Sequence, residues 1–172
     1  MLFEIIAGNV NDVFFINPTT GIITTKDEVD YERNNFFNLT VRATNMAAME
    51  STCHVIIQVL DTNDNSPFFE SDIYRGEISE AAPIDSLVTI AAGSSSSENA
   101  MLSFNETVPL VIKARDLDSG QNALLHFDIV EYLPRKYFHI DSSSGAIKNM
   151  KILDHEKIPF FSFNVRVSDL GK

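Results

Sequence analysis

Shifted by 124 positions, the sequence overlays on itself without a gap across its first 48 residues. Phe3 falls on Phe127, Ile5 on Ile129, Phe14 on Phe138 and Ile16 on Ile140. Gly21 falls on Gly145, Ile23 on Ile147, and Phe36-Phe37 on Phe160-Phe161. Asp30 and Glu32 fall on Asp154 and Glu156. Such self-similarity means that one structural unit is built twice. Repeated apolar positions speak only of a repeated fold; the repeated acidic pair suggests that a site is repeated with it.

The unit's class follows from its periodicity. "FFNLTVRATN" puts Phe37, Leu39, Val41 and Ala43 on one face, and "CHVIIQVLD" does the same with Val55, Ile57 and Val59. "FSFNVRVSD" repeats the alternation with Phe161, Phe163, Val165 and Val167. Period two marks half-buried strands, and no stretch sustains a helical period. The expected fold is all-β, a Greek-key β-sandwich in tandem; a complete sandwich takes about 100 residues. Residues 1–65 then form the latter part of one unit, without its opening strands and ending in the connector. Residues 66–172 form a nearly complete second unit, without its closing strand. A flexible serine-rich insertion is expected around 91–108, in "TIAAGSSSSENAMLSFNETV".

Charge narrows the partners. With 13 basic against 24 acidic residues the net charge is −11, which argues against nucleic acid or anionic lipid, whose phosphates need clustered Lys and Arg. Cys53 is the single cysteine, so neither an internal disulfide nor a cysteine zinc site can form. The N-terminus carries Glu4 and no basic leader, and no apolar run approaches the ~20 residues that cross a bilayer. His54, His126, His139 and His155 are scattered, and no nucleophile elbow, P-loop or dinucleotide fingerprint occurs. An enzyme is not expected.

The acids are placed rather than spread. Asp30 and Glu32 ("DYE"), Asp61 to Asn65 ("DTNDN"), Asp116, Asp118 and Asn122 ("DLDSGQN") and Asp169 ("SDLG") stand in loops or at strand ends. Converging carboxylates repel unless a cation neutralises them, and oxygen-only donors favour Ca²⁺. "DLDSGQNALLHF" is not an EF-hand loop: Gly120 stands at position 5 and Phe127 where a bidentate Glu is required.

"LDTNDNSPFF" resembles the interdomain linker of the cadherin superfamily, D-x-N-D-N-x-P-x-F. "ARDLDSGQNALLHFDI" is similar to the family's D-x-D-x-G-x-N-A segment. "VDYERNNFFNLTVRATN" and "LDHEKIPFFSFNVRVSD" resemble its L-D-x-E…F-x-V-x-A-x-D segment, and "GIITT" its G-x-I-x-T turn and strand. The wording is most similar to the Fat-like atypical cadherins. The resemblance implies Ca²⁺ at the junction of two repeats. Asp30, Glu32, Asp61, Asp64, Asp116, Asp118 and Asp169 would be carboxylate ligands, Asn63 a side-chain carbonyl ligand, and Asn65 and Asn122 backbone carbonyl ligands. Glu80, Asp154 and Glu156 would serve the next junction. It further implies the extracellular part of a plasma-membrane protein, calcium-dependent cell–cell adhesion, and other cadherin repeats as partners in cis or trans. No membrane insertion by these residues is expected. Sequons at Asn38 ("NLT") and Asn105 ("NET") agree with an extracellular setting. The alternative is an acidic, Ca²⁺-stabilised carbohydrate-binding or accessory sandwich.

Overall fold

The computed structural model describes residues 1–91 and 108–171. Residues 92–107 of the expected insertion, with Asn105, lie outside them. The chain divides into two compact units, Met1–Thr62 and Asn63–Lys172.

In the first unit, β1 (Leu2–Ala7), β4 (Phe36–Thr44) and β5 (Glu50–Gln58) form one antiparallel sheet in the order β1-β4-β5. A hairpin of β2 (Phe14–Ile16) and β3 (Ile23–Thr25) accompanies it. The alternation of β4 sets the core: Phe37, Leu39 and Val41 are buried while Phe36 and Asn38 are exposed. Val13 and Phe14 close onto Phe37 and Leu39, with Ile5, Val55, Ile57 and Val59 packed around them.

The second unit contains β6 (Phe68–Phe69), β7 (Gly76–Glu77), β8 (Thr89–Ile90) and β9 (Ala114–Arg115). These are followed by β10 (Leu125–Ile129), the single-turn α1 (Tyr132–Arg135), β11 (Phe138–Ile140), β12 (Ile147–Asn149) and β13 (Val165–Asp169). Its own core gathers Val88, Leu110, Ile112, Phe127, Ile129, Phe138, Ile140 and Ile147. Phe69 packs against this core, but Phe68 is 47% exposed, so only one of the two phenylalanines after Pro67 is an anchor.

The repeat extends to individual contacts. Ile5 opposes Val41 as Ile129 opposes Val165, and Glu4 opposes Arg42 as Asp128 opposes Arg166. Both charged cross-strand pairs are ion pairs, at 2.6 Å and 3.2 Å. The Phe14–Phe37 rings meet edge to face at 5.0 Å and 85°, and their counterparts Phe138 and Phe161 at 5.0 Å and 83°. Such pairs add about 0.5–1.5 kcal/mol beyond burial.

The turns repeat as well. Asn17 Oδ1 accepts the N–H groups of Thr19 and Thr20, and Asp141 Oδ1 those of Ser143 and Ser144. Gly21 and Gly145 then adopt φ of 73° and 72°, a region that glycine enters without a side-chain penalty. At Gly145 a Cβ would also lie 2.2 Å from the Ile112 carbonyl oxygen. Gly145→Ala should therefore cost about 3 kcal/mol or more, read as a lower urea midpoint of the second unit. Gly120→Ala, at φ 57° with open space around it, should cost only about 1 kcal/mol.

Asn17 and Asp141 differ in one respect: only Asp141 titrates. The N–H of Ser144, then its hydroxyl and the N–H of Ser143, hold the Asp141 carboxyl below its ordinary value of 3.8. A depressed carboxyl stabilises the fold above its unfolded pKa, and that contribution is lost as pH falls through the folded one. The β11–β12 turn should thus loosen below about pH 4 while the β2–β3 turn does not, as read from amide exchange at Ser144 and Thr20. Asp141→Asn should remove the difference.

Candidate metal centre

The acidic groups of the second unit collect around residues 63–65. The Asn65 side-chain amide donates to Asp64 Oδ1 at 2.9 Å and to Asp118 Oδ1 at 2.7 Å, drawing two carboxylates together. One oxygen of each lies within 4.8 Å of the other. Asp118 also accepts the Asn65 N–H at 3.3 Å and is only 6% exposed. Its own N–H donates to Asp116 Oδ1 at 3.1 Å, which orients the Asp116 carboxylate. Asp116 Oδ2 is buried and has no hydrogen-bond partner. Asn63 Nδ2 donates to Asp169 Oδ1 at 2.9 Å, and Asp169 Oδ1 accepts the Gly171 N–H at 3.0 Å. Gly171 leaves room for these amides: a Cβ would lie 2.3 Å from Asn63 Nδ2 and 2.8 Å from Asn122 Oδ1, so a side chain there would displace them.

Electrostatics make this grouping costly. Among the described residues, no Lys or Arg forms an ion pair with Asp116, Asp118 or Asp169. Buried carboxylates without a countercharge raise the free energy of a fold. The donors are all oxygens, with a buried Asp116 oxygen left unbonded by the protein. Such a set fits a hard divalent cation, and Ca²⁺ best, since it accepts six to eight oxygens in loose geometry.

In the first unit, Asp30 heads the turn that carries Glu32. Asp30 Oδ1 accepts the Arg33 N–H at 3.0 Å, its Oδ2 pairs with Arg33 Nε at 3.1 Å, and its carbonyl accepts the Asn34 N–H at 3.0 Å. Asp154 forms the same turn, with Lys157 and Ile158 in place of Arg33 and Asn34. The Lys157 ammonium, then its N–H, hold the Asp154 carboxyl below its ordinary value. Glu80 Oε2 accepts the His155 N–H at 2.9 Å, so Glu80 stands against the Asp154–Glu156 turn. Asn45, the counterpart of Asp169, instead closes the β4–β5 hairpin by accepting the N–H groups of Ala47 and Met49. Asn38 is exposed on β4, on the face away from the core.

The side-chain amide of Asn65 and the bare Cα of Gly171 were not legible as site elements. The one needs the fold to bring residue 118 beside 65, the other to bring 171 beside 63.

Fold and site define a class: tandem β-sandwich repeats with oxygen-rich loops at their ends. The cadherin domain family matches residues 1–60 and 95–172, and the chain belongs to that family. It is 41% identical over 172 residues to the Fat-like cadherin-related tumor suppressor homolog of Drosophila melanogaster, covering 100% of this chain and 3% of that protein. It is 40% identical over 171 residues to Protocadherin Fat 1 of Homo sapiens, covering 99% and 3%. The chain thus spans 3% of the length of these relatives. Among solved structures, mouse Cadherin-23 EC22-24 matches with TM-score 0.74 and 22% identity, over 98% of this chain and 47% of that one, a likeness of fold. Protocadherin gammaB7 EC3-6 matches with TM-score 0.70 and 28% identity, over 99% and 36%. Among the described residues no helix is long and apolar enough to cross a membrane.

Proposed function

We propose that this chain is a calcium-dependent cell–cell adhesion or recognition segment of a cell-surface cadherin, made stiff by Ca²⁺ between its two repeats. In this reading residues 1–65 are the latter part of one repeat with its linker, and 66–172 are a second repeat. The observation that carries it is the buried, unbonded Asp116 oxygen next to Asp118, whose carboxylate shares the Asn65 amide with Asp64, in a chain of this family. Asp116, Asp118 and Asp169 would hold the cation from the second repeat, with the Asn122 carbonyl. Asp61, Asn63, Asp64 and the Asn65 carbonyl would hold it from the linker, and Asp30 and Glu32 from the first repeat. When bound, the ion supplies the positive charge that lets these carboxylates converge. Glu80, Asp154 and Glu156 would form part of a second such site.

The chain's own residues set the geometry. Asn65 gathers Asp64 and Asp118, the Asp118 N–H turns Asp116, and Asn63 holds Asp169. Pro67 has no N–H and favours extended backbone before it, which suits a taut connector. Partners would be other cadherin repeats, in cis or trans, and Asn38 and Asn105 would carry glycans on an extracellular face.

Calorimetry should detect Ca²⁺ binding at millimolar concentration or tighter, and X-ray scattering should show one extended form with Ca²⁺ and a broader ensemble with chelator. Identical scattering curves in the two conditions would defeat the stiffening role, and an absence of binding heat would defeat the site.

A further inference from the structure

The sequon Asn38-Leu39-Thr40 follows directly on two phenylalanines, "FFNLT", in β4. Strand residues alternate between faces, and the burial of β4 obeys that rule. Phe37, Leu39 and Val41 are buried, whereas Phe36 and Asn38 are exposed and Thr40 is half-buried. Phe36, Asn38 and Thr40 therefore share the face turned away from the core. Across the ladder, β5 sets Ile56 opposite Asn38 and Gln58 opposite Phe36. Ile56 is 67% and Phe36 54% exposed. Directly opposite residues have Cβ atoms about 5 Å apart, and residues two apart on one strand are about 7 Å apart. Asn38 thus stands within the span of one sugar ring of both apolar side chains.

The face is apolar on one side of Asn38 only. Toward the other end, Arg42 pairs with Glu4 at 2.6 Å and with Glu50 at 3.6 Å. On the β1 side the chain passes Asn38 as Gly8, where a Cβ would lie 1.9 Å from the Asn38 carbonyl oxygen. That flank therefore carries no side chain.

Strands on neither side of this segment cover the phenylalanine. In the first unit β5 lies beside β4 and leaves Phe36 exposed. In the second unit, which has β6 to β9 ahead of β10, the counterpart of Phe36 is Phe160, 76% exposed. Ser162 stands there in place of Asn38, so the sequon belongs to the first unit.

We propose that a glycan on Asn38 is a structural part of the first unit, its protein-linked N-acetylglucosamine lying on the outer sheet face against Phe36 and Ile56. This rests on the reading of the chain as extracellular. Installing the sugar joins Asn38 Nδ2 to its C1, breaks the bond from C1 to the diphosphate of a lipid-linked sugar donor, and releases one amide proton. A pyranose presents C–H groups on its face and hydroxyls at its rim. The C–H groups suit the electron-rich face of the Phe36 ring, while the hydroxyls stay in water. The contact takes apolar area of Phe36 and Ile56 out of water and ties β4 to β5.

The full chain with Asn105→Gln, secreted from cultured eukaryotic cells and trimmed to a single sugar at Asn38, tests this against the same chain made without glycan. The glycosylated form should melt about 4 °C higher or more, read from the side-chain NMR signals of Phe37. Phe36→Ser should remove most of that difference. Nuclear Overhauser contacts should join the sugar C–H protons to the Phe36 ring; they come from the chain with Phe36 in place, so they decide if that variant does not fold. A sugar at Asn38 without those contacts, or a melting difference untouched by Phe36→Ser, overturns the inference and leaves the extracellular reading intact. Mass spectrometry of the secreted chain with both sequons separates the two failures. A bare Asn38 beside a glycosylated Asn105 overturns only the inference, and bare asparagines at both count against the extracellular reading as well.

Discussion

Asp118→Asn should leave the metal-free chain folded, or slightly stabilise it, while removing most of the stabilisation that calcium confers. Asp118 is 6% exposed and shares the Asn65 amide with Asp64. Without a cation, these converging carboxylates are a net cost. An asparagine oxygen can still accept from the Asn65 side-chain amide at 2.7 Å, so the substitution removes repulsion and keeps that hydrogen bond, while giving up the longer one from the Asn65 N–H at 3.3 Å. With a cation the sign reverses. Losing a buried charged ligand costs on the order of 3 kcal/mol, about a hundredfold in affinity. A ligand at 100 times its Kd stabilises by about 2.7 kcal/mol, so nearly all of that shift should vanish in the variant. Thermal melts with saturating Ca²⁺ and with chelator, for wild type, Asp118→Asn and Asp72→Asn, make the comparison. Asp72 is exposed, and its variant, with the same change of charge, should keep the calcium response. An equal calcium shift in all three proteins would remove Asp118 from the site.

The second large effect is in the cores. Leu39 is 0% and Ile129 1% exposed, and they belong to separate apolar clusters, one in each unit. Truncating either to alanine should cost about 2–5 kcal/mol, the lost transfer energy plus a residual cavity. In domains of this size that is on the order of 10–30 °C in Tm. Leu39→Ala should therefore lower the melting temperature of the first unit by that amount. Ile129→Ala should act on the second. Near-UV circular dichroism is ambiguous between the units, so side-chain NMR of Phe37 and Phe138 should report each. Loss of both signals in a single variant would show that the cores do not melt separately.

Much of the fold was legible because period two carries it. Phe37, Leu39 and Val41 face inward as their spacing predicts, and the 124-residue repeat reappears in strand pairing, turn hydrogen bonds and aromatic pairs. Turns such as those at Asp30 and Asp154 were readable for a related reason: their hydrogen bonds span three or four residues, so local sequence settles them.

Residues 160–164 mark where this legibility stops. They alternate as residues 36–40 do, yet no strand forms there, because alternation states which face is apolar and not whether a ladder partner is present. The candidate centre divides in the same way. The sequence by itself determined which oxygen-bearing residues exist and that they stand in loops between apolar strands. Only the tertiary structure decided that the Asn65 amide bridges Asp64 and Asp118 and that an Asp116 oxygen is buried without a hydrogen bond. The Asn65–Asp118 contact joins residues 53 positions apart, and its distance follows from how the strands pack, which no local pattern encodes.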